Sequence, residues 1–245
     1  RRRSTDHVLE ELKRLFRKYS FRGIVFHDDQ FIIDPVWTIE FCRKMHREGY
    51  PKRGVRWWAA CRADMICGFP QVVREMKEAG LSIISIGFES FSDPVLEWLN
   101  KGVDSATNIR AAEICRGMGL DIYANVMFGI PREDGIWRLE DDRATLRALA
   151  AIRPRYVSPA YLNPVPGSWF HKWFEDQSLL RKGSLEERGA RSPDRQPLHG
   201  VDYDKLDALL SGIRTAYGHP WQDRVRYHRY RLQSLWNGLT RVMHS

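Results

Sequence analysis

The 245-residue sequence has only four cysteines, Cys42, Cys61, Cys67 and Cys115, with no Cys-x2-Cys pair and no recurrent spacing. That excludes a disulfide framework and a closed zinc site, and each reads as a small buried hydrophobe. His27, His46 and His171 show no metal-ligand spacing and read as structural. Long apolar runs are also missing. The best, Leu81 to Phe88, stops at Glu89, and the one after Tyr156 is broken by prolines, so no helix of the roughly 18 apolar residues needed to span a bilayer is expected. Arg1-Arg2-Arg3 leads into polar Ser4-Thr5-Asp6, which is not the start of a signal peptide, and the lack of an initiating Met reads as a fragment. Reduced thiols without a secretion signal point to the cytoplasm. No G-x-G-x-x-G follows the first apolar run, which disfavours a dinucleotide-binding half.

What is present is a core-forming chain, 43% hydrophobic and 12% aromatic, with 39 Lys plus Arg against 31 Asp plus Glu and a net charge of +8. Spread over this length, the surplus alone is a weak pointer to an anionic partner. Short β-rich runs centre on Val25, Trp58, Ile84, Ala124 and Val157, at intervals of 26 to 40 residues, the size of one strand-helix unit. Several are nearly continuous, as expected for parallel strands covered on both faces. Helices fill the intervals. The first presents Val8, Leu12, Leu15 and Tyr19 as its core stripe. The second has Asp34 as N-cap, Pro35 at its first position and Gly49 past its end. Pro70 with Gly80, and Asp93-Pro94 with Gly119, punctuate the next units, and another helix covers Glu140 to Ala151. The spacing predicts an α/β fold with parallel strands, residues 1–167, followed by a mainly helical extension, residues 168–245. In that extension 168–182 reads as helix, Gly183 to Gly200 as a connection, and the remainder as two helices. The last, Trp221 to Val242, is basic and aromatic.

In such folds the carboxyl ends of the strands converge on one rim, where ligands bind. Here they run into His27-Asp28-Asp29, Cys61-Arg62, Gly87-Phe88-Glu89-Ser90, Gly129-Ile130-Pro131 and Asn163-Pro164, a polar set suited to a small molecule carrying both charges. Asp28, Arg62, Glu89 and Asn125 are expected to face one cavity there.

Six ordered motifs, Phe26-His-Asp-Asp-Gln-Phe31, Trp58-Ala-Ala-Cys-Arg62-Ala-Asp64, Met76-Lys-Glu-Ala-Gly80, Ile86-Gly-Phe-Glu-Ser90, Leu99-Asn-Lys-Gly102 and Phe128-Gly-Ile-Pro131, resemble the radical SAM enzymes, especially the branch often carrying an upstream cobalamin-binding domain. The likeness runs from about Arg3 to Ser168. It implies an incomplete (βα)6 partial barrel lacking its first strand, and an enzyme whose [4Fe-4S] cluster reductively cleaves S-adenosylmethionine to a 5′-deoxyadenosyl radical that abstracts hydrogen from substrate. Methyl transfer through cobalamin is one outcome it allows. The family's Cys-x3-Cys-x2-Cys cluster motif is absent, so cluster ligands, any cobalamin domain and the partner segment would lie upstream in the same protein, with an electron donor besides. Arg132 departs from the Gly that usually follows the Pro of the last motif.

The resemblance also implies a cofactor-binding set. Asp28 and Asp29 suit the cofactor's ammonium, with a solvated turn as the alternative. Arg62 suits a carboxylate, or else a salt bridge to Asp64. Glu89 needs a ribose-hydroxyl or ammonium partner. Ser90 shares that contact or caps the following helix. Asn125 meets a polar edge of the cofactor or a neighbouring backbone. Gly129 and Pro131 let backbone approach the ligand. No catalytic side chain and no metal ligand is assigned. The rival reading is a non-catalytic βα module whose basic C-terminal helix contacts nucleic acid or an anionic membrane surface.

Overall fold

The computed structural model describes residues 3–181 and 197–217. Five strands, β1 (Gly23–Val25), β2 (Arg56–Cys61), β3 (Leu81–Glu89), β4 (Asp121–Phe128) and β5 (Tyr156–Tyr161), form one sheet in chain order, and every neighbouring pair is parallel. The sheet curls into a half-barrel, as the family resemblance implies; the strand spacing alone also allowed an open doubly wound sheet. Helices α1 (Thr5–Lys18), α2 (Pro35–Arg47), α3 (Ala63–Gly68), α4 (Pro70–Glu78), α5 (Asp93–Trp98), α6 (Ser105–Gly117), α7 (Leu139–Ile152), α8 (Trp169–Asp176) and α9 (Tyr203–Ala216) complete it.

Local chemistry sets the boundaries. Asp34 accepts from the Val36 and Trp37 amides and Pro35 opens α2, while Gly49 takes a positive φ just past its end. The unit between Asp93 and Gly119 holds two helices rather than one. Asn100 and Gly102, both at positive φ, turn the chain between α5 and α6.

One sheet face is dry. Trp57, Ala59, Cys61, Ile84, Ile86, Phe88, Ile122, Ala124, Val126 and Phe128 are buried beneath the helices. The other face differs from the expectation of strands covered on both sides. Along β4 burial alternates strictly, and Tyr123, Asn125 and Met127 are only half-buried, because these residues line the inner, concave face of an incomplete barrel. On this face Trp58 packs against Tyr123 at 4.9 Å, and Tyr123 against Tyr156 at 6.2 Å between ring centroids.

Helix α1 is rotated from its expected stripe. Thr5, Leu9 and Leu12 are buried, whereas Leu15 and Tyr19 are exposed. The cause is the contact with α2: Thr5 donates to Glu40 at 2.8 Å and accepts from Lys44 at 2.8 Å, and Phe16 stacks on Tyr50. Helix α8 ends at Asp176 instead of continuing to 182, and Leu180 pairs antiparallel with Leu198. Residues Leu198, Val201, Tyr203, Leu206, Leu210 and Ile213 join the same hydrophobic core as the strands. The expected helix at Trp221 to Val242 lies outside the described residues.

Candidate functional site

Each strand delivers its last residues to the carboxyl rim. At the end of β3 the pairing with β4 shifts register between Gly87 and Glu89, and Glu89 adopts φ +61°. A non-glycine residue there is strained, so surrounding contacts must hold it. Its carboxylate folds back over Gly87, where a Cβ would lie 2.6 Å from Oε1 and 3.4 Å from Lys101 Nζ. A side chain at residue 87 would push the carboxylate from this position. Lys101 Nζ donates to Glu89 Oε1 at 2.9 Å, with both side chains about a fifth exposed.

Arg62 stands beside this pair. Its Nε and Nη2 donate to both oxygens of Asp64 at 3.0 to 3.3 Å, and its Nη2 also donates to the Lys101 carbonyl at 2.9 Å. Burial would raise the Asp64 carboxyl, but the hydrogen bonds and charge of Arg62 outweigh it and hold the carboxyl below its usual range. The Arg62 amide donates to Gln30 Oε1, tying the first rim loop to the second, and Gln30 Nε2 is buried without a partner among the described residues. Asn163 Oδ1, at the end of β5, is likewise unpartnered among them.

The other expected residues separate into four groups. Asn125 lies on the inner face, one strand from Glu89, and donates to Ser85 Oγ at 2.9 Å. Asp28 and Asp29 are exposed in the first rim loop. Ser90 turns away from the inner face. It is buried, its hydroxyl meets Thr145 Oγ1 at 3.3 Å and accepts from the Ser92 amide, and Ser92 rather than Ser90 precedes α5. Gly129 (φ +72°) and buried Pro131 form the turn after β4.

Lys101 lies in the Leu99-Asn-Lys-Gly102 motif, but nothing in the spacing announces that residues 89 and 101 meet. The role of Arg132 is likewise visible only in the fold. Arg132 makes a paired hydrogen bond to Asp141 at 2.9 and 2.8 Å, which draws the turn onto α7. Asp141 is buried, yet the hydrogen bonds of Arg132 and Ser92 outweigh burial and keep its carboxyl low.

The cysteines do not fit an iron-sulfur cluster. Cys42, Cys61 and Cys115 are buried, and burial pushes the Cys61 and Cys115 thiols up to about 12, the reverse of what a thiolate ligand needs. Among the described residues no three His, Cys, Asp or Glu side chains are grouped to hold a metal ion. No described helix is long and apolar enough to cross a membrane. An open groove of about 830 Å³ between α2 and α4 lies on the outer helix layer and is bridged by Arg43 and Glu75 at 3.6 Å.

A curled parallel half-barrel with its polar groups gathered at the carboxyl rim is the architecture of cofactor-dependent βα-barrel enzymes. The model of the radical SAM superfamily matches residues 1–141, and the chain belongs to that family, whose members use S-adenosylmethionine with a [4Fe-4S] cluster. An uncharacterized methyltransferase of Pyrococcus horikoshii is 27% identical over 98% of this chain and 51% of its own length. An anaerobic magnesium-protoporphyrin IX monomethyl ester cyclase of Cereibacter sphaeroides is 26% identical over 95% of this chain and 38% of its own. The chain thus spans about half or less of these curated relatives. In fold it is similar to the radical S-adenosylmethionine methyltransferase TsrM of Kitasatospora setae, a structure with cobalamin and a [4Fe-4S] cluster bound, with TM-score 0.59 and 18% identity over 72% of this chain and 32% of that one.

Proposed function

We propose that this chain is the S-adenosylmethionine-holding part of a radical enzyme that modifies its substrate by methyl transfer with cobalamin. The observation that carries the reading is the rim at the end of β3, where Glu89, held at positive φ over Gly87, meets Lys101 and adjoins Arg62. An anion and a cation at such spacing suit the ammonium or ribose hydroxyls and the carboxylate of one amphoteric ligand. Asp28, Asp29 and Asn125 extend the polar lining, and Gly129 and Pro131 supply a turn that backbone can bring close to a ligand. Arg62 is paired with Asp64 and Lys101 with Glu89, so whichever cation meets the ligand's carboxylate shares it with the carboxylate that it already holds. Bound S-adenosylmethionine supplies the reactive chemistry; these side chains hold and orient it. The [4Fe-4S] cluster and cobalamin are assigned to parts of the protein outside these residues, an electron donor to a separate partner, and the site of action to the cytoplasm. Methyl transfer is supported by the names of the P. horikoshii and K. setae relatives.

In the full-length protein carrying its cluster, Glu89→Ala should weaken S-adenosylmethionine binding by roughly 1–3 kcal/mol, the range for leaving a buried partner unsatisfied. Anaerobic calorimetric titration measures it, with circular dichroism to establish that the variant is folded. Unchanged affinity would reduce Glu89 to a structural residue.

A further inference from the structure

Behind the rim runs a belt of buried polar side chains that the proposed chemistry does not use. Asn108, on α6, is fully buried, and its Nδ2 donates to the Phe88 carbonyl at 3.2 Å and the Ser90 carbonyl at 3.1 Å, the two peptides flanking Glu89. Its Oδ1 has no partner among the described residues. A buried amide with an orphaned acceptor is costly, so its two donor contacts must offset that loss. Thr145, on α7, accepts from the Phe91 amide at 3.0 Å and meets Ser90 Oγ. One turn earlier, Asp142 accepts from the Gly129 amide at 3.1 Å and from Trp137 Nε1 at 2.6 Å. Its neighbour Asp141 accepts from Ser92 Oγ at 2.6 Å and from Arg132. The first turns of α7 therefore grip the turn after β3 and the turn after β4 together.

We propose that Asn108, Thr145 and Asp142 are positioning residues, which from the helices behind the sheet set the shape of the rim turns carrying Glu89 and Gly129. The two turns are on neighbouring strands, so one helix that fixes both fixes their separation. The strained Glu89 backbone is what such a device would be needed to hold, since relaxing φ at this position would swing the carboxylate off Gly87 and away from Lys101.

The role in ligand binding rests on the proposed function, and the experiment separates the two. In the full-length, cluster-containing protein, Asn108→Ala, Thr145→Val and Asp142→Ala are compared with Glu89→Ala. Two readouts are taken: the KM for S-adenosylmethionine against kcat, and amide hydrogen exchange by mass spectrometry on the cluster-containing protein without S-adenosylmethionine. Asn108→Ala and Thr145→Val should raise KM about tenfold with kcat changed less than about threefold, and speed exchange at residues 88–92. Asp142→Ala should speed exchange at Gly129. Thr145→Ser, which restores the hydroxyl, should recover both readouts, and this pair decides the matter if Asn108→Ala does not fold. A lowered melting temperature with KM and rim exchange unchanged would overturn the proposal. Unchanged KM in Glu89→Ala would sink the cofactor reading instead, and the exchange data would still decide whether the belt shapes the turns.

Discussion

Gly129→Ala should cost the fold about 2–5 kcal/mol. Two independent penalties combine. The residue sits at φ +72°, where an L side chain costs roughly 1–2 kcal/mol. A Cβ there would also lie 2.9 Å from Leu206 Cδ1 and 3.2 Å from Val201 Cγ1, inside a packed core, and overpacking typically costs about 1–3 kcal/mol. Urea unfolding of the variant beside the parent measures the loss, and Leu206→Ala should cost less in the Gly129→Ala background than in the parent, because it also relieves the clash. A loss below about 1 kcal/mol would mean that α9 yields freely and that the niche is not close-packed.

The second large effect concerns Asp142, 4% exposed. Burial, helped by the charge of Asp141, pushes its carboxyl up to about 7 against the hydrogen bonds from Trp137 and Gly129. The folded value lies above the unfolded one, so the unfolded chain releases this proton first. The group's stabilising contribution is complete below its unfolded pKa, near 4, and is lost as pH rises through about 7. Between pH 5.5 and pH 8 that amounts to about 2 kcal/mol. The carboxylates held low by their partners, among them Asp64, Asp134 and Asp141, titrate below this window. Asp142→Asn keeps an acceptor for Gly129 but sets an amide donor against the Trp137 indole. At pH 5.5 it should therefore be the less stable protein, and by pH 8 the gap should narrow by about 2 kcal/mol, since the variant has no charge to bury. Denaturant unfolding at the two pH values tests this. Parallel profiles would place the titration of Asp142 elsewhere.

The strand order was legible because short apolar runs, broken by glycine and proline at regular intervals, admit few arrangements other than successive βα units. The cap at Asp34 and the turn at Gly129 were legible for the same local reason. The orientation of α1 was not. Its apolar residues lie on two overlapping faces, and only the contact of Thr5 with Glu40 and Lys44 selects between them. At the site, the strand-end positions of Glu89 and Arg62 could be read from the pattern, whereas their partners could not. Lys101 arrives through a turn whose path depends on Asn100 and Gly102, and the carboxylates of α7 look from sequence like ordinary acidic residues at a helix start. Ser90 illustrates the limit: the bulge that turns Glu89 inward sends the next side chain outward to Thr145, and a strict alternation of faces cannot foresee it.

The packing of Leu206 over Gly129 has a consequence for how the chain is made. A sheet laid down in chain order lets each strand find its neighbour soon after leaving the ribosome, so β1 through β4 can assemble progressively during synthesis. The niche above Gly129 stays open until α9 has been translated, long after β4 is in place. A chain that has emerged only as far as β5 therefore has all five strands but not the Leu206 side chain that covers Gly129, so the last part of the core to close is the one that α9 supplies.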